Sequence, residues 1–216
     1  MHPLSTLSYH GFVDPSGGSA DSFTVAVSHA DGERVVIDAV REITPPFSPD
    51  AVIEEYATLL KSYRVTSVTG DRYAGEFPRE LFRKAGIQYE CAEKPKSDLY
   101  RDLLPLLNSG RITLPRNERL AAQLVGLERR TARSGRDSID HGPGMHDDVA
   151  NAVVGAAAVA INKSTYLTDY RWLNEDTDVP AVEIPSPPKR RHPNLTDEQL
   201  DRISQPVALC PGGRLA

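Results

Sequence analysis

Asp147 and Asp148 stand side by side where a basic, glycine-punctuated run from Arg129 to Met145 meets a stretch of small and apolar residues, Val149 to Ala160. That stretch reads as a packed helix opened by the acidic pair. Carboxylates there lie at the positive end of the helix dipole, which favours their ionised form. An Asp at a helix start is also an ordinary cap, so the pair acquires chemical meaning only with partners. Asp14 ends one strand-like run, Tyr9 to Asp14, and Asp71 follows another, Val65 to Thr69. Turns favour Asp at strand ends too. Together, however, these are carboxylates delivered by separate rigid elements, as hydrolysis with two divalent cations requires. Mg²⁺ takes oxygen ligands in octahedral geometry and keeps several waters. One carboxylate must then bridge two ions about 3.5–4 Å apart while others each hold one. Asp14 suits the bridge, Asp71 one ion, and Asp147, with Asp148, the other. Adjacent helical residues point about 100° apart. Asp147 shares a line with Ala150, Val154, Ala157 and Ile161, expected to face the sheet, whereas Asp148 shares one with Ala152, Gly155 and Val159, expected to turn toward a neighbouring helix or the rim of the site. Asp147 is therefore expected to be the principal ligand and Asp148 an auxiliary one.

The cations beside this cluster point to a polyanionic substrate. Net charge is −5 and the pI about 5.7, so the whole molecule does not advertise a nucleic-acid binder. Between Lys94 and Arg136, however, ten Lys and Arg face four acids, a local excess of six positive charges. Arg129, Arg130, Arg133 and Arg136, with Lys96, are the expected DNA-binding residues, making phosphate contacts that carry no base information. A solvated helix face would show a similar excess. His146 is a candidate proton shuttle or outer ligand, although a His before a helix is commonly just an exposed polar residue. The two cysteines, Cys91 and Cys210, suggest neither a disulfide framework nor a thiolate metal site, and the compartment reads as reducing. No apolar run reaches bilayer-spanning length, and the beginning of the chain lacks the pattern of a signal peptide.

The elements that must position these residues follow in order. Tyr9 to Asp14, Ser22 to His29 and Arg34 to Val40 read as three antiparallel strands, the last two joined at Asp31-Gly32. Ser48-Pro49 starts a helix through Tyr63; Val65 to Thr69 is a strand, Phe77 to Lys84 a helix, and Ile87 to Cys91 a fifth strand. Ser97 opens a leucine-bearing helix ending at Gly110, and Asn117 to Thr131 reads as another, with Leu120, Leu124 and Leu127 on one stripe. This predicts an α/β fold, a mixed five-stranded sheet of three antiparallel hairpin strands then two parallel strands, flanked by helices. It is the element order of ribonuclease-H-like nucleases. The expected domain spans residues 1–163. Residues 164–216 are expected to be an irregular tail, since seven of the seventeen prolines fall between Pro180 and Ala216.

A family resemblance rests on LLPLLNSGRITL at Leu103 to Leu114, LERRTARSGRDSIDH at Leu127 to His141, HDDVANA at His146 to Ala152, and Gly70-Asp71-Arg72-Tyr73. These segments resemble the C-terminal nuclease domain of bacteriophage large terminases, over roughly Tyr9 to Lys163. The resemblance implies a ribonuclease-H-like endonuclease that cuts concatemeric double-stranded viral DNA during packaging. It implies two Mg²⁺ or Mn²⁺ ions bound at Asp14, Asp71, Asp147 and Asp148. It implies as partners an ATPase motor domain, a small terminase subunit and a portal protein, and as location the host cytoplasm at the procapsid portal, with no membrane. GPGM at Gly142 to Met145 departs from the expected PPGG-like turn. The chain also contains no G-x-x-x-x-G-K-[ST] loop, so it is not expected to be a packaging motor by itself. Two alternatives remain open at this stage: another ribonuclease-H-like nuclease of resolvase or transposase type, and a non-catalytic portal-docking module.

Overall fold

A computed structural model describes residues 3–71, 76–131 and 137–171. Arg72, Tyr73, Arg133, Arg136 and everything from residue 172 onward lie outside the described residues, which includes the Pro180 to Ala216 stretch.

The first three strands, β1 (Tyr9–Asp14), β2 (Phe23–Asp31) and β3 (Arg34–Ile43), form the antiparallel meander the sequence predicts. Helix α1 (Pro49–Ser62) carries the chain across to β4 (Ser67–Gly70), which pairs parallel with β1. Helix α2 (Glu76–Lys84) then leads to β5 (Gln88–Cys91), parallel to β4. After α3 (Lys96–Asn108) comes a sixth strand, β6 (Ile112–Thr113), pairing parallel with Val35 and Val36 of β3. The sheet order is β5-β4-β1-β2-β3-β6. The predicted five strands are all present; the added one is a two-residue edge strand between Gly110 and Pro115, too short to show a period.

Helix α4 (Glu118–Val125) is shorter than the predicted Asn117–Thr131. Asn117 caps it by accepting from the Leu120 N–H, and at Gly126 the helix stops. The next residues instead form β7 (Leu127–Thr131), antiparallel to β8 (Asp137–His141). Glu128, Arg129, Arg130 and Thr131 have no apolar stripe to bury as a helix, and a hairpin partner satisfies their backbone groups. The predicted arginine loop is thus a two-stranded arm. Helix α5 (Asp148–Arg171) follows it.

Alternation along the central strands sorts the molecule into two layers. Val13, Phe23, Val25 and Val27 pack with Ile53, Tyr56 and Leu60 of α1 and Phe82 of α2. Phe12 and Ala26 point the other way, into a core shared with α3, α4 and the Val149–Ala160 segment of α5. The Ser28 hydroxyl donates to the Ala156 carbonyl at 2.8 Å, pinning α5 to the middle of the sheet. Asp14, two residues beyond Phe12, therefore emerges on the α5 face. Gly155 sets how closely α5 can approach: a Cβ there would lie 2.4 Å from the Phe12 ring. Gly155→Val should consequently lower stability by about 1–3 kcal/mol or more through overpacking, read as a drop in the denaturant midpoint.

Candidate metal centre

The register of β1 and β4 places Val13 beside Gly70. Being parallel and in step, the two strands release their next residues, Asp14 and Asp71, at the same edge. Helix α5 enters over this edge, so Asp147 and Asp148 join them. Burial raises the Asp14 carboxyl from 3.8 to about 7, opposed by a hydrogen bond from Asn151 and reinforced by the negative charges of Asp148, Asp71 and Asp147, in that order. The other three predicted carboxylates are thus within electrostatic reach of Asp14. Asn151, 3% exposed and one turn into α5, is a contact that sequence reading did not single out.

The rotation of α5 is opposite to expectation. Gly155, on the Asp148 line, packs on Phe12 of the sheet, whereas Val154, Ala157 and Ile161, on the Asp147 line, lie against Leu99, Leu103 and Leu106 of α3. The small residue was read as a helix–helix contact; the bulky Phe12 ring beneath it needs that space. Asp147, 5% exposed, is accordingly turned toward α3. It accepts from the Tyr100 hydroxyl at 2.8 Å, and its Oδ2 lies 3.1 Å from Lys96 Nζ. Burial and this carboxylate raise the Tyr100 hydroxyl pKa. Lys96 also reaches Asp140 Oδ1 at 2.8 Å. Burial alone would lower the Lys96 pKa, but the two carboxylates raise it; the same ammonium overrides partial burial at Asp140 and lowers that pKa. Lys96, predicted to bind DNA, is therefore engaged by acids of its own chain.

Asp148, 9% exposed, is left otherwise. Its Oδ2 is buried without a hydrogen-bond partner. Burial first, and then the charge of Asp21, raise its pKa, while His146 and the Ser22 N–H hold it down. Asp21 comes from the β1–β2 loop, where the Ser16 hydroxyl donates to the Asp21 carbonyl at 2.6 Å. Gly18 turns that loop at φ 86°, and a Cβ would strike the Phe47 carbonyl oxygen at 2.4 Å. His146 Nδ1 lies 3.3 Å from Asp21 Oδ1, and Asp21, His146 and Asp148 bring ligand atoms within 4.8 Å of one another. A second such group is Asp140, His141 and Asp147. Asp21, Asp140 and Tyr100 were not singled out from the sequence. Tyr100 alone had a local signal, one helical turn from Lys96 on the same face.

Of the predicted phosphate contacts, Arg129 and Arg130 sit exposed on β7. Arg130 reaches its neighbour Glu128 at 2.9 Å, an exposed pair that holds it only weakly.

Crowded carboxylates make the ion-free protein pH-sensitive with a definite sign. Asp14 and Asp148 both have raised pKa values, and at Asp14 the folded state holds, between pH 3.8 and about 7, a proton that the unfolded chain has released. Stability must fall as pH rises through that window. Asp140 has the opposite shift, and its contribution is lost only at lower pH, below the window. Thermal unfolding in chelator is expected to show Tm declining from pH 4 to 7, and Asp14→Asn should flatten the decline. A Tm rising steadily across that range would contradict the crowding.

No protein-family model and no curated protein matches the chain. Solved structures do. The large terminase nuclease from thermophilic phage G20c superposes with TM-score 0.63 at 18% identity, covering 73% of this chain and 84% of that one; it has also been crystallised with bound magnesium. The nuclease domain of the Thermus phage P74-26 large terminase gives 0.59 at 16%, covering 72% and 81%. The large terminase of bacteriophage HK97 gives 0.56 at 16%, with 72% of this chain matched to 40% of that one. The chain therefore has the ribonuclease-H-like fold of large terminase nuclease domains.

Proposed function

We propose that this chain is a divalent-metal-dependent DNA endonuclease that works as a terminase nuclease does, cutting concatemeric double-stranded viral DNA during packaging. What supports the reading is that the buried Asp14 carboxyl feels the charges of Asp148, Asp71 and Asp147, while Asp148 Oδ2 is itself buried without a hydrogen-bond partner. Burial first, and the charges of neighbouring acids after it, raise the pKa values of Asp14 and Asp148, which marks a place short of positive charge, and a buried carboxylate oxygen without a donor is costly. A divalent cation remedies both. Oxygen donors, with the imidazole of His146 as the one nitrogen beside them, suit Mg²⁺ or Mn²⁺.

In this reading Asp14 would be shared between two ions, Asp71 would hold one, and Asp148 would hold the other with Asp21 and His146 beside it. Asp147 supports from behind through its bonds to Lys96 and Tyr100. Bound ions would supply an activated water for in-line attack on phosphorus and stabilise the departing 3′ oxygen. The protein's own part is to hold the Asp14 carboxylate in place through Asn151 and to seat the DNA. His146, half exposed at the rim, is placed to pass a proton to solvent. Arg129 and Arg130, with Arg133 and Arg136, supply the backbone contacts. An ATPase motor domain, a small terminase subunit and a portal protein are the proposed partners, at the procapsid portal in the host cytoplasm. The tail expected from residue 164 is proposed to lie outside the nuclease only from the end of α5 at Arg171 onward. Among the described residues no helix is long and apolar enough to cross a membrane.

Binding through phosphates should show little sequence preference and weaken steeply with salt. Arg129→Ala or Arg130→Ala should each flatten the log–log salt dependence by about one unit, measured by fluorescence anisotropy on duplex DNA. Cleavage of linear, supercoiled and four-way DNA side by side tests the substrate class. Cutting of unbranched duplex supports a terminase-like role, and cutting confined to four-way junctions would replace it with a resolvase.

A further inference from the structure

Lys96 opens α3, where the helix dipole disfavours a cation. The side chain is held there by other means. Its ammonium lies 2.8 Å from Asp140 Oδ1, and 3.3 Å and 3.1 Å from Asp147 Oδ1 and Oδ2. His141 Nε2 faces the same oxygens, 3.8 Å from Asp140 Oδ1 and 4.0 Å from Asp147 Oδ1. Asp140, His141 and Asp147 thus offer two carboxylate oxygens and one imidazole nitrogen within 4.8 Å of one another. This is a donor set that Mn²⁺, Co²⁺ or Zn²⁺ readily takes, and the cation that the two carboxylates hold is an ammonium.

We infer that Lys96 is a resident cation that closes the Asp140–His141–Asp147 group to divalent ions and so confines them to the Asp14, Asp71 and Asp148 side. The first half stands on the geometry of the group itself; the second rests on the metal-centre reading above. A dipeptide shows the division. Both oxygens of Asp147 already accept, from an ammonium and a phenol, whereas Asp148 Oδ2, one residue later, has no partner. An ion entering the first group would have to expel Lys96 and leave its ammonium without acceptors. An ion at Asp148 Oδ2 meets an oxygen with no hydrogen bond to lose. The same ammonium joins the end of β8 to the start of α5, and Ser97 adds a bond by accepting from the Ile139 N–H at 2.8 Å. Lys96 is thus a specificity-determining residue that also positions the arginine-bearing arm.

The test counts bound ions without DNA, by titration calorimetry with Mn²⁺ and by the absorption of bound Co²⁺. Lys96→Met keeps the hydrocarbon stem and removes the charge, so it should bind about one equivalent more than the wild type. That equivalent should vanish in Lys96→Met/His141→Ala, and Lys96→Arg should keep the wild-type count. His141→Ala alone should leave both the wild-type count and the Co²⁺ spectrum unchanged. A folded Lys96→Met with the wild-type count would overturn the inference. So would a count lowered by His141→Ala alone, since the ion would then already be displacing Lys96; this second arm decides even if Lys96→Met fails to fold. A wild type that binds no divalent ion would sink the nuclease reading, while the gain in Lys96→Met would still judge Lys96.

Discussion

Asp14→Asn is expected to remove cleavage while leaving the domain folded. The carboxylate is buried and feels the charges of Asp148, Asp71 and Asp147 at once. Asparagine keeps its shape and its contact with Asn151 but surrenders the negative charge and one anionic oxygen. Losing an outer-sphere partner of a metal typically costs about 10–100-fold, and a bridging ligand must cost more. Stability should move the other way. At neutral pH an ionised Asp14 is destabilising in the absence of metal, so Asp14→Asn should unfold at a higher temperature than the wild type in chelator. Loss of activity together with a gain in ion-free stability separates a ligand from a structural residue. Substantial nicking by the folded variant would remove Asp14 from the mechanism.

Separating the two neighbouring acids gives the second large effect. Asp148→Asn should lose more than about 100-fold, as a direct ligand, while Asp147→Asn should lose about 10–100-fold, as the residue that supports the site through Lys96 and Tyr100. Paired plasmid-nicking rates in Mg²⁺ measure this. The gap should narrow in Mn²⁺, which tolerates nitrogen and imperfect ligation better than Mg²⁺. Equal losses would mean that both acids coordinate. A larger loss at Asp147 would show that Lys96 gives way to metal, contrary to the role argued for it.

The strands and helices that carry Asp14, Asp71 and the Asp147–Asp148 pair were legible because each has its own local signal. Phe23, Val25 and Val27 alternate, Ser48-Pro49 starts a helix, and small residues run from Val149 to Ala160. Parallel pairing of β1 with β4 then places Asp14 and Asp71 at one edge with little freedom to do otherwise. What failed depended on partners distant in sequence. Leu127 continued the Leu120–Leu124 stripe by coincidence, and only the strand at Asp137–His141 shows that Gly126 ends the helix. The face of α5 was misjudged because Gly155 looks like a helix–helix contact until the Phe12 ring is seen beneath it. Asp140 and His141 are polar residues on a short strand, with nothing local to mark them. Lys96 binds Asp140 across 44 residues of chain, so its positive charge was read as facing DNA.

Plasmid cleavage with and without divalent metal tests the carboxylate centre most directly. Supercoiled DNA incubated with the protein should remain intact in chelator, become nicked and linear on addition of Mg²⁺ or Mn²⁺, and be protected again when chelator is restored. Cleavage that persists in chelator, or a folded protein that binds DNA and the metal yet cuts under neither ion, would contradict it.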